Sequence, residues 1–135
     1  MKLLLNIDVP DLILAQVFYL EAFGWTPGRR LGDAVLELVG PDIPVYLLCK
    51  EAGTLGAGND PRDYHRHWTP LHGDLVVNDL DAALSRALAA GAWLEGGVRE
   101  SDWGRIAQMA DPFGHGWCLI QFSEHGYSAL EDHPD

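Results

Sequence analysis

Basic residues, cysteines and long apolar runs are all scarce in this chain of 135 residues. Nine Lys and Arg residues stand against 20 Asp and Glu, so the formal net charge is −11. Nucleic acid is bound by basic surfaces that neutralise its phosphates, so this balance excludes nucleic acid as an expected partner. An excess of carboxylates favours cationic ligands through long-range attraction, although it is also typical of domains that are acidic for solubility alone.

The two cysteines, Cys49 and Cys118, are too few for a disulfide scaffold. Residues 3–5 begin like a signal peptide, but Asn6 and Asp8 interrupt the apolar run too soon. No other apolar run approaches the roughly 20 residues that span a bilayer. We therefore expect two free thiols, a cytoplasmic location and no membrane partner.

The length predicts one structural domain with its own core. Gly and Pro punctuation divides the chain into residues 1–50 (module one), 51–70 (a linker), 71–122 (module two) and 123–135 (an acidic tail). Three glycines and a proline predict an irregular, flexible linker. The Tyr64-His65-Arg66-His67-Trp68 run within it is interpreted as solvated surface, because the central arginine repels a metal ion.

Module one opens with alternating residues, in which Leu3, Leu5, Ile7 and Val9 form an apolar face and Leu4, Asn6 and Asp8 a mixed one. Asp11 is a helix N-cap, and Gly24 ends the helix that spans residues 12–23. Strands are predicted at residues 25–30, 33–39 and 43–50. The order of elements is therefore β-α-β-β-β.

Module two repeats this order. Gly73, Leu75 and Val77 form one face of its first strand, and His72, Asp74 and Val76 form the other. Asn78 or Asp79 caps the helix that follows, which has an apolar stripe at helical spacing and ends at Gly91. A loop is predicted at residues 95–102, and strands follow it at residues 105–110 and 116–122. We expect Trp25, Trp93 and Trp117, which lie in or beside strands, to belong to the core.

The two halves align, because Val9-Pro10-Asp11-Leu12 matches Val77-Asn78-Asp79-Leu80. Such a repeat indicates duplicated modules. With the apolar strand faces packed on the helices, the mixed faces are expected to line a shared cleft.

The block Trp103-Gly104-Arg105 followed by Asp111-Pro112-Phe113-Gly114-His115-Gly116-Trp117, together with the His72…Asn78-Asp79-Leu80 segment, resembles the vicinal oxygen chelate superfamily of glyoxalases, bleomycin-resistance proteins and extradiol dioxygenases. The resemblance implies an α+β fold of two βαβββ modules that form a half-open barrel-like cleft, usually in a homodimer. It says little about chemistry, because this scaffold serves many functions.

Metal-using members of the superfamily take ligands from the first and last strand of each module. The resemblance places Leu4, Tyr46, His72 and Cys118 at these four positions, and of these only His72 is a usual ligand. Zn²⁺ would also accept Cys118, with Asp74 as a third donor. A nucleophilic Cys118 activated by His72 is a weaker alternative, because no third group is identified that would orient the histidine.

We therefore predict a metal-independent small-molecule binding protein with no cofactor, which binds a small aromatic or cationic ligand as a homodimer. The expected ligand-binding residues are Asn6, Tyr46, His72, Asp74, Trp103 and Cys118. The alternative is a lyase or dioxygenase of the same superfamily that uses one divalent metal ion at His72. A third alternative is a dimer with a closed cleft that serves as a scaffold for a partner protein.

Overall fold

The computed structural model describes residues 1–132. Its first helix, α1 (Leu12–Phe23), begins and ends where the sequence predicts. The Asp11 carboxylate accepts a hydrogen bond from the backbone N–H of Leu14 at 3.0 Å. Gly24 ends the helix in the left-handed region, with φ of 69°. Both ends therefore satisfy backbone groups that a helix terminus leaves unpaired.

The first sheet has the strand order β1-β4-β3-β2, with β1 and β4 parallel and the other pairs antiparallel. Its strands are β1 (Leu5–Val9), β2 (Thr26–Arg30), β3 (Val35–Val39) and β4 (Val45–Cys49). Ile7, Leu47 and Leu36 lie side by side on one face and are all buried. Helix α1 contributes Ala15, Phe18 and Tyr19 to the buried residues of the same unit.

The second sheet repeats this topology, with β7 and β11 parallel. Its elements are β7 (Gly73–Val76), α2 (Leu80–Ala90), β8 (Trp93–Leu94), β9 (Arg99–Ser101), β10 (Gly104–Ala110) and β11 (Gly116–Phe122). The order is β7-β11-β10-β8, and β9 also pairs with β10. The two short strands β8 and β9 therefore take the place that β2 has in the first sheet. The predicted α+β fold of two βαβββ modules is confirmed.

The linker is more regular than the sequence predicts. Strands β5 (Leu55–Ala57) and β6 (Asp60–Pro61) pair as an antiparallel hairpin. The two residues between them are Gly58, with φ of 56°, and Asn59, a composition typical of tight hairpin turns. The Arg62 side chain then bonds Asp8 at 2.7 Å, which fixes the end of the hairpin on β1. The prediction of an irregular loop was therefore wrong.

Two predictions in module two also fail. The segment 95–102 is not all loop, because Arg99–Ser101 pairs with the start of β10 across a two-residue turn. Trp93 is not in the core, since 43% of it is exposed, whereas Trp25 and Trp117 are buried. Trp93 belongs to β8, which is only two residues long and lies at the edge of its sheet. A side chain on a short edge strand is covered less completely than one on a central strand.

The chain divides into two compact units between His65 and Arg66, within the predicted linker. A 3₁₀ helix (Gly126–Leu130) lies in the predicted acidic tail, of which residues 133–135 fall outside the described part of the chain. Neither α-helix of residues 1–132 has the length and apolarity that a membrane crossing needs.

Candidate functional site

The mixed face of the first sheet carries a row of polar side chains. Asn6 on β1 lies opposite Tyr46 on β4, and Tyr46 lies opposite Glu37 on β3. Directly opposed residues in a sheet project from the same face. The predicted site residues Asn6 and Tyr46 are therefore neighbours, and Glu37 continues their row.

The row ends in an ion pair that the sequence did not predict. Arg29 on β2 donates to both carboxylate oxygens of Glu37, with the shortest contact 2.8 Å. The hydrogen bonds from Arg29 lower the pKa of the Glu37 carboxyl to about 2. This arginine is 69% exposed, so the pair is a surface feature of the row and solvent screening reduces its contribution to stability.

An equivalent row crosses the second sheet. Asp74 on β7 lies opposite Cys118 on β11, which lies opposite Gln108 on β10. The Gln108 carbonyl accepts a hydrogen bond from the Glu95 backbone N–H at 2.8 Å, which extends the row to residue 95. Asp74 and Cys118 occupy the places that Asn6 and Tyr46 hold in module one, so the register of both sheets preserves the internal repeat.

Three predicted site residues converge at one end of this row. The His72 ring nitrogen Nδ1 lies 3.1 Å from Asp74 Oδ1. Each of His72, Asp74 and Cys118 offers one atom that could bind a metal ion, and these three atoms all lie within 4.8 Å of one another. The indole of Trp68 packs on the His72 ring with centroids 5.0 Å apart, and 55% of this tryptophan is exposed.

The Cys118 thiol is buried, and its burial raises its pKa to about 11, assisted by the negative charge of Asp74 and a hydrogen bond to that carboxylate. The thiol is therefore protonated at neutral pH and donates to Asp74. A protonated buried thiol is a poor nucleophile, which counts against the alternative of a Cys118 nucleophile activated by His72.

The far end of the second row is again an arginine–glutamate pair. Arg66 donates through Nε and Nη2 to Glu95, with the shortest contact 2.7 Å, and its Nη1 donates to the His67 carbonyl at 2.6 Å. The Arg66 side chain is only 12% exposed. A side chain at Gly116 would collide with its guanidinium, since a Cβ there would lie 2.7 Å from Nη2. The Arg66 side chain is thus held in place by its contacts with Glu95 and the His67 carbonyl, and it is not the solvated side chain that the sequence predicts.

Trp103 lies apart from this row. It occupies the turn between β9 and β10, and its ring contacts those of Phe122 and Tyr127 at 6.3 and 5.5 Å between centroids. Five residues along the strand separate it from Gln108, or about 16 Å of extended chain. The aromatic contacts tie Trp103 to the C-terminal segment.

Five polar residues of the two rows were not predicted as site residues, and neither was Trp68, although its exposure agrees with the predicted solvated surface. The missed row residues are Arg29, Glu37, Arg66, Glu95 and Gln108. A signal was available for Glu37 and Gln108, because each is a single polar residue between buried neighbours in a strand. No comparable pattern marks the two arginines, whose partners are distant in sequence.

The side chains at the four expected ligand positions, together with Asp74, indicate which kind of metal ion they could bind. Leu4 offers no donor atom and lies before β1. Histidine, thiolate and one carboxylate suit Zn²⁺ in type, whereas Mg²⁺ and Mn²⁺ prefer several oxygen ligands. Any such ion would first have to displace the proton of Cys118. His72, Asp74 and Cys118 therefore fit a soft divalent ion and not a hard one.

Comparison with known proteins gives the family. The model of a glyoxalase-like domain matches residues 5–120. The uncharacterized protein Mb0911c of Mycobacterium bovis is 34% identical over 124 residues, which cover 86% of this chain and 80% of that protein. The anthracycline biosynthesis protein DauV of a Streptomyces species is 32% identical over 126 residues, covering 90% of this chain but 41% of the relative.

Solved structures agree on the fold. A mutant of the fosfomycin resistance protein FosX of Listeria monocytogenes, complexed with Mn(II) and 1S,2S-dihydroxypropylphosphonic acid, superimposes with a TM-score of 0.72. The two share 14% identity, and the match covers 94% of each chain. A glyoxalase/bleomycin resistance protein of Albidiferax ferrireducens gives a TM-score of 0.67 at 17% identity, over 91% of this chain and 98% of that one. By sequence and by fold, the chain belongs to the glyoxalase-like family of the vicinal oxygen chelate superfamily.

Proposed function

We propose that this chain is a metal-independent small-molecule binding protein that binds an aromatic or cationic ligand through the polar rows of its sheets. The observation that carries the proposal is the chemistry of the four positions at which metal-using relatives place ligands. Leu4 has no donor, Tyr46 offers a phenol, and Cys118 is a buried thiol with a raised pKa. Binding needs only affinity, so the absence of a full ligand set is no handicap.

The proposed ligand-binding residues on or beside the polar rows are Asn6, Tyr46, His72, Asp74 and Cys118. Trp103, which the sequence also predicts as a ligand contact, lies apart from the rows and is not part of this proposed site. Asn6, His72 and Asp74 are exposed and Tyr46 is half-buried, so four of these side chains are available to a ligand. The relative DauV is described as an anthracycline biosynthesis protein, and this description supports the proposal of a flat aromatic ligand. A homodimer in the cytoplasm completes the proposal, and light scattering of the purified protein tests its oligomeric state.

Thermal-shift screening tests ligand binding directly. Chelator-treated protein is screened against a panel of aromatic, cationic and neutral compounds, and hits are measured by titration calorimetry. We expect hits among aromatic or cationic compounds, with the same affinity for chelator-treated and untreated protein. The absence of any hit with either preparation, or hits with untreated protein alone, would overturn the proposal.

A metal-dependent lyase or dioxygenase is the second candidate, and the convergence of His72, Asp74 and Cys118 within 4.8 Å favours it. These three residues would hold the ion, which would supply Lewis-acid polarisation of a substrate oxygen. Elemental analysis of the purified protein and of a His72→Ala variant separates the candidates. Stoichiometric metal that the variant loses would favour this second function, and metal-free protein that binds ligands would favour the first.

A further inference from the structure

Trp68, His72 and Asp74 form a continuous surface in the second unit. The Trp68 and His72 rings are 5.0 Å apart, and the His72 imidazole in turn contacts the Asp74 carboxylate. Both ends of this surface are open to solvent, since Trp68 is 55% exposed and the Asp74 side chain 38% exposed. An electron-rich ring and a carboxylate are thus available together to one small group.

Asp74 differs from the other carboxylate of its row. Glu95 is held by the Arg66 guanidinium through contacts of 2.7 to 3.2 Å, so an arginine already neutralises its charge. Among residues 1–132, Asp74 contacts the His72 imidazole and accepts a hydrogen bond from the Cys118 thiol. No arginine in this part of the chain forms an ion pair with Asp74, in contrast to Glu95.

We propose that the ligand carries an ammonium group, which binds beside His72 in contact with the exposed part of the Trp68 ring and with the Asp74 carboxylate. Tryptophan is the aromatic side chain that attracts cations best, and a carboxylate accepts charge-assisted hydrogen bonds from the N–H groups. A negatively charged chain also raises the encounter rate with a cation. The inference rests on the proposed binding function and adds to it Trp68 and the charge of the ligand.

The test uses three probes with one ring system, namely naphthylmethylamine, which is cationic at pH 7, the neutral naphthylmethanol and the anionic naphthoate. Titration calorimetry at physiological salt measures each on the full chain. We expect the amine to bind about tenfold more tightly than the alcohol, and naphthoate to bind most weakly. Asp74→Asn should reduce the preference for the amine severalfold, to the part that the Trp68 ring supplies. Trp68→Leu should also reduce their ratio, and it keeps the proposal testable if the Asp74 variant does not fold.

Asp33→Asn is the matched control, because it removes one exposed carboxylate from the other unit and changes the net charge by the same amount. It should leave the ratio of amine to alcohol unchanged. Equal binding of amine and alcohol by the wild type, or a preference that survives both site variants, would overturn the inference while the binding function stands. No binding of any probe would overturn the inference, and the broader compound panel would then decide the binding function separately.

Discussion

The carboxylate of Asp111 accepts a hydrogen bond from the indole Nε1 of Trp117 at 3.0 Å, and both residues are buried. The same carboxylate accepts the backbone N–H groups of Phe113 and His115 at 2.9 and 3.0 Å. One side chain thus fixes the turn between β10 and β11 and also the large ring next to it. This turn is the Asp111-Pro112-Phe113-Gly114 segment of the sequence analysis, and its role is structural.

Asp111→Ala should destabilise the protein strongly, because it leaves three donors without their acceptor in a buried site. Hydrogen bonds to a charged group contribute roughly 1.5–3 kcal/mol each, so we expect a loss of at least about 3 kcal/mol in the free energy of unfolding. Urea unfolding followed by tryptophan fluorescence measures it. Asp111→Asn keeps one acceptor oxygen and should lose less. Equal stability of the alanine variant and the wild type would contradict the assignment.

Gly73→Ala should destabilise the second unit by about 1–3 kcal/mol, the usual cost of overpacking a well-packed site. A Cβ at this position would lie 2.5 Å from Cζ3 of the Trp117 ring, which is 5% exposed. Gly97→Ala is the matched control, since a Cβ there meets no atom within 4 Å. Thermal unfolding of both variants tests this, and a control that is as unstable as Gly73→Ala would refute the explanation.

Glu37 should contribute to the acid sensitivity of the protein. Its pKa falls from the usual 4.5 to about 2 in the folded chain because Arg29 stabilises the carboxylate. A lowered folded-state pKa gives stability that is present above pH 4.5 and is lost as the pH falls through 2. Glu37→Gln should therefore show a flatter decline of the unfolding midpoint between pH 4.5 and 2, whereas Glu21→Gln on the exposed side of α1 should follow the wild type.

Cys118 should be unreactive in the folded protein. A pKa of about 11 leaves roughly one thiol in a thousand ionised at pH 8. In a Cys49→Ser background, we expect iodoacetamide to react about a hundredfold more slowly with the folded chain than with the denatured chain. Adding Asp74→Asn should accelerate the folded-state reaction, because Asp74 raises the pKa of the thiol. An unchanged or slower rate would show that Asp74 does not act on Cys118.

Short-range sequence signals predicted most of the fold. The cap at Asp11, the cap predicted at Asn78 or Asp79 and the stops at Gly24 and Gly91 place both helices close to their observed bounds, and the structure has Asp79 as the second cap. The alternation of residues 3–9 identified the buried Ile7 and Val9, whereas Leu3, predicted on the same face, is 69% exposed. These features depend on contacts within about four residues along the chain, so local sequence is sufficient to determine them.

Part of the candidate site could also be predicted from the sequence, because of the internal repeat. The residue positions of His72, Asp74 and Cys118 followed from the resemblance and from strand alternation, and the structure brings these three side chains together. The short hairpin of residues 55–61, strand β9 and the exposure of Trp93 did not follow. Each of these depends on which strand lies beside which, and composition gives only a weak indication of that pairing.

The sequence by itself determined the two helices, the duplicated modules and the residue types that face away from the helices. Only the tertiary structure decided which charges neutralise each other. Arg66 meets Glu95 across 29 positions of sequence and Arg29 meets Glu37 across a bulged strand pair, whereas no arginine of residues 1–132 forms an ion pair with Asp74. Ion pairing depends on the distance between two charged groups, and for residues that are distant in sequence this distance is set only when the strands pair in register.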